Sequence, residues 1–370
     1  SSTSRGLGDV YKRQKLIKKN GNVITDKEIP QFQKIKKITL NKNLNLYSLN
    51  SQKNNFQYLS HRFQGEAQLL QISHNNLIYK IKLNLIGKIQ LKNVQMAIAA
   101  AIKSDIDIKK ILKVIPKIKS VEGRFEKIGK IKNQSKVILD YAHTPDALRT
   151  CLLNLKEQFP GQKISLVFGC GGNRDQDKRA KMGKIADIFA NKIYLTDDNP
   201  RTEGPNKIRN DIKKGIKKQT ILEFPNRTRA ITEAINNLNT GEILLVAGKG
   251  HETIQEIGVK KIIFSDKKVI LNAIKIKNLS LSNNLKFNIL KELSEEKKLS
   301  SRITLKKAQI NSKEIKKGDI FFAIKGKKND GNKFISEAFN KKASIAIVNK
   351  ICKNNNIKPV SYTHLRAHET

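Results

Sequence analysis

VILDYAHTPD (137–146), ISLVFGCGGNRD (164–175), IYLTDDNPR (193–201) and ILLVAGKGHE (243–252) are four apolar runs, each ending in a loop rich in charge or glycine. Short β-rich runs followed by helix-length segments predict βα units and a mostly parallel sheet in an α/β fold. LLVA (244–247), apolar at every position, suits a strand buried on both faces. In such sheets the loops at the carboxyl ends of the strands share one crevice, where ligands bind. Asp140, His143, Arg174, Asp198, Arg201 and Glu252 are therefore expected in a single site, although they are scattered along the chain.

Each loop has its own chemistry. The glycines of GCGGNRDQDKR (169–179) permit close backbone approach to a ligand, and the helix expected after them offers unpaired N–H groups. The spacing is not the GxxxxGK[ST] of a phosphate-binding P-loop, and GKGHE is not a dinucleotide fingerprint. In TDDNPRTEGP (196–205), Asp and Asn before Pro favour a turn that leads into a helix near Ile208. Arg174 and Arg201 beside Asp198 and Glu252 give a crevice of both signs. Arginine clamps carboxylates and acids accept from ammonium groups, which suits a zwitterion such as an amino acid; a structural salt-bridge network is the equal alternative.

Upstream, LIYKIKLNLIG (77–87) alternates like a strand, and the alanine-rich GKIQLKNVQMAIAAAIKSD (87–105) reads as a buried helix behind a glycine-led turn. Asn93, near its start, either caps the helix or touches a ligand. Pro116 ends the next helical pattern, with a hinge expected near 119. Arg124 of VEGRFE either holds a phosphate or carboxylate or is a solvated surface charge.

Composition narrows the classes. Seventy-three Lys and Arg against 32 Asp and Glu give a net charge of +41 over 370 residues. The excess is spread as Lys through Ile- and Asn-rich text, without a basic arm or an aromatic platform, so nucleic-acid binding is not expected as the main function. Cys151, Cys170 and Cys352 make neither a disulfide framework nor a metal site, which fits a reducing compartment. With no apolar run of membrane length and no apolar leader, no membrane insertion and a cytoplasmic location are expected.

DYAHTPDAL, VFGCGGNRDxxKRxxMG, TDDNPRTE and AGKGHE, in this order, resemble the C-terminal domain of the Mur ligase family, in particular those members that add meso-diaminopimelate to UDP-N-acetylmuramoyl-L-alanyl-D-glutamate. The resemblance covers roughly 15–277 and is most specific from 121 to 252. It implies an ATP-dependent acid–amino acid ligase, working as a monomer with Mg2+: ATP phosphorylates the D-glutamyl γ-carboxylate, and the amine attacks the acyl phosphate. Arg174, Asp198, Asn199, Arg201, Gly248 and Glu252 then match the amino-acid pocket, with DNPR as the form associated with diaminopimelate. Arg124, Asp140 and His143 match the nucleotide side, as does Asn93; Gln90 stands where the family has a second asparagine. A folylpolyglutamate-type ligase shares the architecture but does not need DNPR or GKGHE, and a non-catalytic basic module needs neither.

The organisation expected is the end of a P-loop-type ATPase domain (15–118), a Rossmann-like amino-acid-binding domain (119–277), a helix and linker (278–302) and the start of a small α/β domain (303–359). The last, with KKGDIFFAIKG and NDGNKFISEAF, resembles the N-terminal UDP-sugar-binding domain of a second Mur ligase, most closely the one that adds D-alanyl-D-alanine; Asn311, Ser312 and Lys313 replace its usual Asp-Ser-Arg. Residues 1–14 and 360–370 resemble translated sequencing adaptors. The GTNGKT-type P-loop and the magnesium-holding groups of the family are not found in 15–120, so the chain by itself is expected not to ligate.

Overall fold

The computed structural model describes residues 18, 20–49, 56–217, 221–294, 305–326, 329–348 and 360–361, without the side chains of 283–294 and 360–361. The adaptor-like stretches 1–14 and 362–370, the linker residues 295–302 and Cys352 lie outside them. Two compact units divide the chain: the described residues up to 271 without 131–133, and 131–133 with those from 272 onward.

In the first unit β1 (Asn22–Asp26) and β2 (Asn45–Leu49) pair in parallel on either side of α1 (Phe32–Asn41) in sequence. β3 (Phe56–Gln64), β4 (Ala67–His74) and β5 (Leu77–Leu83) form an antiparallel meander. Against it pack α2 (Lys88–Ile102) and α3 (Ile108–Val114), through a core that includes Leu70, Ile72, Leu83, Ile98 and Ala99. Pro116 sits in a 3-10 turn, Ile115–Lys117, at the end of α3, because its ring cannot supply the next helical N–H. Asn93 does not cap α2. It lies exposed in the helix interior, and the free N–H groups at the helix start are taken by α4 (Pro145–Gln158): Gly87 donates to Gln158 Oε1 (2.7 Å) and Ile89 to Asn154 Oδ1 (3.0 Å).

The main sheet of this unit has six strands. These are β6 (Glu126–Lys127), β7 (Lys136–Asp140), β8 (Ile164–Phe168), β9 (Lys192–Leu195), β10 (Ile221–Glu223) and β11 (Ile243–Ala247), in the order β10-β9-β8-β11-β7-β6, with only the edge strand β6 antiparallel. Every residue of β8 and β11 is buried, as central strands covered on both faces require. The cover includes α4, α5 (Lys178–Phe189) and α6 (Pro205–Lys213), whose Leu148, Leu152, Met182, Ala186, Ile208 and Ile212 join the strand residues in one core. α6, the helix expected near Ile208, begins at Pro205, since proline is well placed in a first helical turn. α7 (Arg227–Asn236) follows β10. After β11 comes a hairpin that the sequence reading did not anticipate, β12 (Ile254–Ile257) and β13 (Lys260–Ile263), turning at Gly258 with φ +59°. α8 (Asp266–Ser294) starts behind it.

The second unit holds a four-stranded parallel sheet, β14 (Ala308–Gln309), β15 (Ile320–Ala323), β16 (Ile345–Val348) and β17 (Val360–Ser361), with α9 (Ile335–Asn340) packed through Phe321, Ala338 and Ala346. Among the described residues no helix is long and apolar enough to cross a membrane.

One ion pair anchors the start of α8 to the first unit. Arg227 and Asp266 are both fully buried, joined by Nε–Oδ1 (2.8 Å) and Nη2–Oδ2 (2.7 Å), and Arg227 also donates to the Ala247 carbonyl (3.0 Å). Asp266→Asn leaves a buried guanidinium without its counter-charge and is expected to cost about 3–5 kcal/mol, read as a lower denaturant midpoint for this unit.

Candidate functional site

The sheet register sets the loops side by side. Ala247 pairs with Asp140, Val246 with Val167 and Phe168 with Leu195, so the loops that follow β7, β8, β9 and β11 leave the same edge. Glycines let them close on one another. A Cβ on Gly169 would meet the Thr196 carbonyl at 2.1 Å, and one on Gly172 the Pro200 carbonyl at 1.9 Å. Gly172 N–H donates to the Asn199 carbonyl (2.9 Å), and Arg201 Nη1 donates to the Gly172 carbonyl (2.9 Å).

Lys249 is the hub, and sequence reasoning missed it. Its side chain is fully buried, and its ammonium donates to Asn199 Oδ1 (2.8 Å), Glu252 Oε2 (2.9 Å) and the Ile254 carbonyl (2.8 Å). All three N–H bonds are thereby used. Asn199 gives its own amide to Glu252 Oε2 (3.0 Å) and accepts from Glu256 N–H (3.0 Å). Burial pushes the Glu252 carboxyl up, but Lys249, Asn199 and Tyr141 together hold it below its usual range.

Arg201 takes a left-handed backbone, φ +52°, which costs energy in a non-glycine residue. The hairpin holds it there: Arg201 N–H donates to the Glu256 carbonyl (3.1 Å), Gly258 N–H to the Arg201 carbonyl (2.7 Å), and Nε pairs with Glu256 Oε2 at 2.8 Å. The neighbouring loop is fixed by Arg179, fully buried, whose guanidinium grips Glu203 through Nη1–Oε1 and Nη2–Oε2, both 2.7 Å. Glu203 also accepts from Asn173 N–H (3.1 Å). Those bonds to Arg179 bring the Glu203 carboxyl down to about 2.

Two residues stand outside this network. Asp198 is 8% exposed, and its carboxylate makes no hydrogen bond among the described residues. It is wedged against Gly248, where φ is +116° and a Cβ would lie 2.7 Å from Asp198 Oδ2. Burial raises its acid pKa, opposed by the charges of Arg227 and Lys249. Arg174 is exposed, and likewise has no hydrogen bond among the described residues. It lies beside Arg201 at Gly171, whose β-position would be 3.0 Å from Arg201 Nη1 and 4.0 Å from Arg174 Cγ. The site thus contains a braced salt-bridge network together with an unspent acid and an unspent guanidinium.

On the other flank, Arg124 and His143 are exposed beside Tyr141, with the Arg124 guanidinium 4.6 Å from the ring centre and His143 in edge contact at 4.6 Å. Gln90 donates to the Arg124 carbonyl (3.3 Å) and so supports this segment. Asp140 is buried and spent on structure: its carboxylate accepts from Phe125 N–H (2.7 Å), Ala142 N–H (2.7 Å) and the Cys151 thiol (3.3 Å). Burial, with Asp140 close by, pushes that thiol far up.

Gly248→Ala must displace Asp198 and adopt a strained φ, an expected loss of about 1–3 kcal/mol measurable by thermal denaturation. Because the Glu203 carboxyl falls from 4.5 unfolded to about 2 folded, its contribution is complete above pH 4.5 and is lost as pH drops toward 2. Glu203→Gln is expected to flatten the stability profile in that window.

Comparison with known proteins bears on the same segments. Residues 123–250 match the family model for the Mur ligase glutamate ligase domain, and residues 305–367 that for the Mur ligase family catalytic domain. The UDP-N-acetylmuramoyl-L-alanyl-D-glutamate–2,6-diaminopimelate ligase of Rickettsia typhi is 39% identical over 59% of this chain and 46% of its own, and that of Fusobacterium nucleatum 43% identical over 54% and 41%. The chain spans about half the length of the curated relatives it matches. A solved structure of a ligase of that name aligns with a TM-score of 0.53 at 29% identity, over 70% of this chain and 53% of the other. A folylpolyglutamate synthase from Thermotoga maritima, at 21% identity and a TM-score of 0.52 over 64% and 53%, shares the fold. Residues 123–250 are thus similar to the glutamate ligase domain of Mur ligases, and residues 305–367 to the catalytic domain of that family.

Proposed function

We propose that the first unit supplies the acceptor side of an ATP-dependent amide ligase that joins meso-diaminopimelate to UDP-N-acetylmuramoyl-L-alanyl-D-glutamate. The observation that carries this reading is the buried Asp198 carboxylate, left without a hydrogen bond beside Gly248 while Arg227, Asp266, Lys249 and Glu252 near it are paired with one another. An unpaired buried carboxylate is costly unless a ligand completes it, and an ammonium group does so. Arg174 and the partly exposed Arg201 offer guanidinium N–H groups to carboxylates, and Asn199 and Glu252 are held rigidly by Lys249 to receive further polar atoms. Diaminopimelate carries two ammonium and two carboxylate groups and so matches a pocket of alternating sign; lysine lacks the second carboxylate. Similarity to diaminopimelate ligases at 37–43% identity supports the same choice.

The chemistry needs an activated acyl group and a free amine. ATP converts the D-glutamyl γ-carboxylate into an acyl phosphate; the amine adds to that carbonyl, loses a proton, and phosphate leaves as the amide forms. In this reading the exposed Arg124, His143 and Asn93 are assigned to the nucleotide side, while Asp140 fixes the loop that carries His143. No complete protein-ligand set for magnesium stands among the described residues. They contain no cluster of three acidic, His or Cys ligands, and Asp140 is already saturated by two amides and a thiol. No step is therefore assigned to a metal on this chain. The segment from 303 onward is the start of a second Mur ligase in this reading, a proposal supported by the family match at 305–367.

Meso-diaminopimelate is expected to raise the thermal denaturation temperature of the chain and L-lysine to leave it unchanged; equal shifts would refute DNPR as the selector. Arg174→Ala and Asp198→Asn should each remove most of the shift, by about 2–5 kcal/mol for a desolvated charge pair. Because the Asp198 pKa is raised, affinity should fall on acidification at a pH above the ordinary carboxylate range, a dependence that Asp198→Asn abolishes.

A further inference from the structure

Tyr141 joins the two flanks of the site. The Arg124 guanidinium lies over its ring at 4.6 Å, and His143 meets the ring edge at 4.6 Å with planes at 65°. Toward the other flank, the His251 ring packs at 5.4 Å, and a Cβ on Gly250 would sit only 2.8 Å from Tyr141 Cβ. The junction is closed by Gly123, where a Cβ would come within 2.2 Å of His251 N. Three backbone segments, 123–125, 141–143 and 250–252, therefore meet without slack. Gly123 and Gly250, at φ +64° and +53°, have the only kind of backbone that permits this approach cheaply. The tyrosine hydroxyl also interacts with the Glu252 carboxylate.

We propose that Tyr141 is a positioning residue that couples occupancy of the nucleotide side, Arg124 and His143, to affinity at the amino-acid loop Gly248–Glu252. The proposal rests on the functional reading above. Arg124 is exposed, and among the described residues its guanidinium is held by the ring alone. Phosphate oxygens bind a guanidinium by charge-assisted hydrogen bonds that are stronger than a ring contact, so a bound nucleotide resets where Arg124 lies over Tyr141. With Tyr141 Cβ against Gly250, a shift of the ring is carried into the loop that bears Glu252. Such linkage is reciprocal: whatever factor the nucleotide exerts on amino-acid affinity, the amino acid exerts on nucleotide affinity.

The test is calorimetric titration of the full chain with meso-diaminopimelate, with and without saturating ADP, and the reverse titration. In the unsubstituted chain the two affinities should differ by a factor of about five or more, equal in both directions. Tyr141→Leu should bind each ligand alone yet bring the factor to about one. Tyr141→Phe, which retains the ring, should keep most of it. A factor of one in the unsubstituted chain, or an undiminished factor in Tyr141→Leu, would overturn the coupling. Failure of the unsubstituted chain to bind either ligand would overturn the functional reading itself and the coupling with it.

Discussion

A single buried ammonium group organises the site. Lys249 is enclosed by the loop that follows β11, and burial of an unpaired charge there would cost far more than the fold can offset. Its three donors are met by Asn199, Glu252 and the Ile254 carbonyl, which belong to the loop after β9, the loop after β11 and the first residue of the hairpin. Each partner is fixed by the need to neutralise or solvate that one charge. The hairpin in turn holds Arg201 in its left-handed backbone, and the Arg179–Glu203 pair locks the loop after β8 onto the same assembly.

Rigidity of this kind explains why Asp198 is left unpaired. The charged groups that act on it, Arg227, Lys249, Glu252 and Asp266, are paired with one another instead. Arg227 acts on it as a charge, while its Nε and Nη2 are committed to Asp266 and the Ala247 carbonyl. On the proposed reading, the unpaired Asp198 is left for a ligand to complete.

The sheet and the shared edge of its loops were legible in the sequence because apolar runs of strand length, each closed by glycine or charge, leave few other folds. ILLVA and ISLVF, wholly buried, are the clearest cases. The role of individual charges was less legible. Nothing in the spacing of GKGHE shows that Lys249 is buried while Glu252 is half-exposed, or that Glu203 belongs to Arg179 rather than to a ligand, since those partners are set by register between distant strands. Asp140 and Asn93 show the same limit, one consumed by backbone amides and the other in a helix interior instead of at its cap. The hairpin had a readable signal, Gly258 between two isoleucine-bearing runs, whereas the ion pair of Arg227 with Asp266 had none.

The most direct measurement is the crystal structure of the chain with meso-diaminopimelate bound. One ligand ammonium group is expected within hydrogen-bonding distance of Asp198 and one carboxylate against Arg174, with Lys249 and its three partners unmoved. Ligand density elsewhere, or an Asp198 carboxylate that still meets no ligand atom, would contradict the assignment of this pocket.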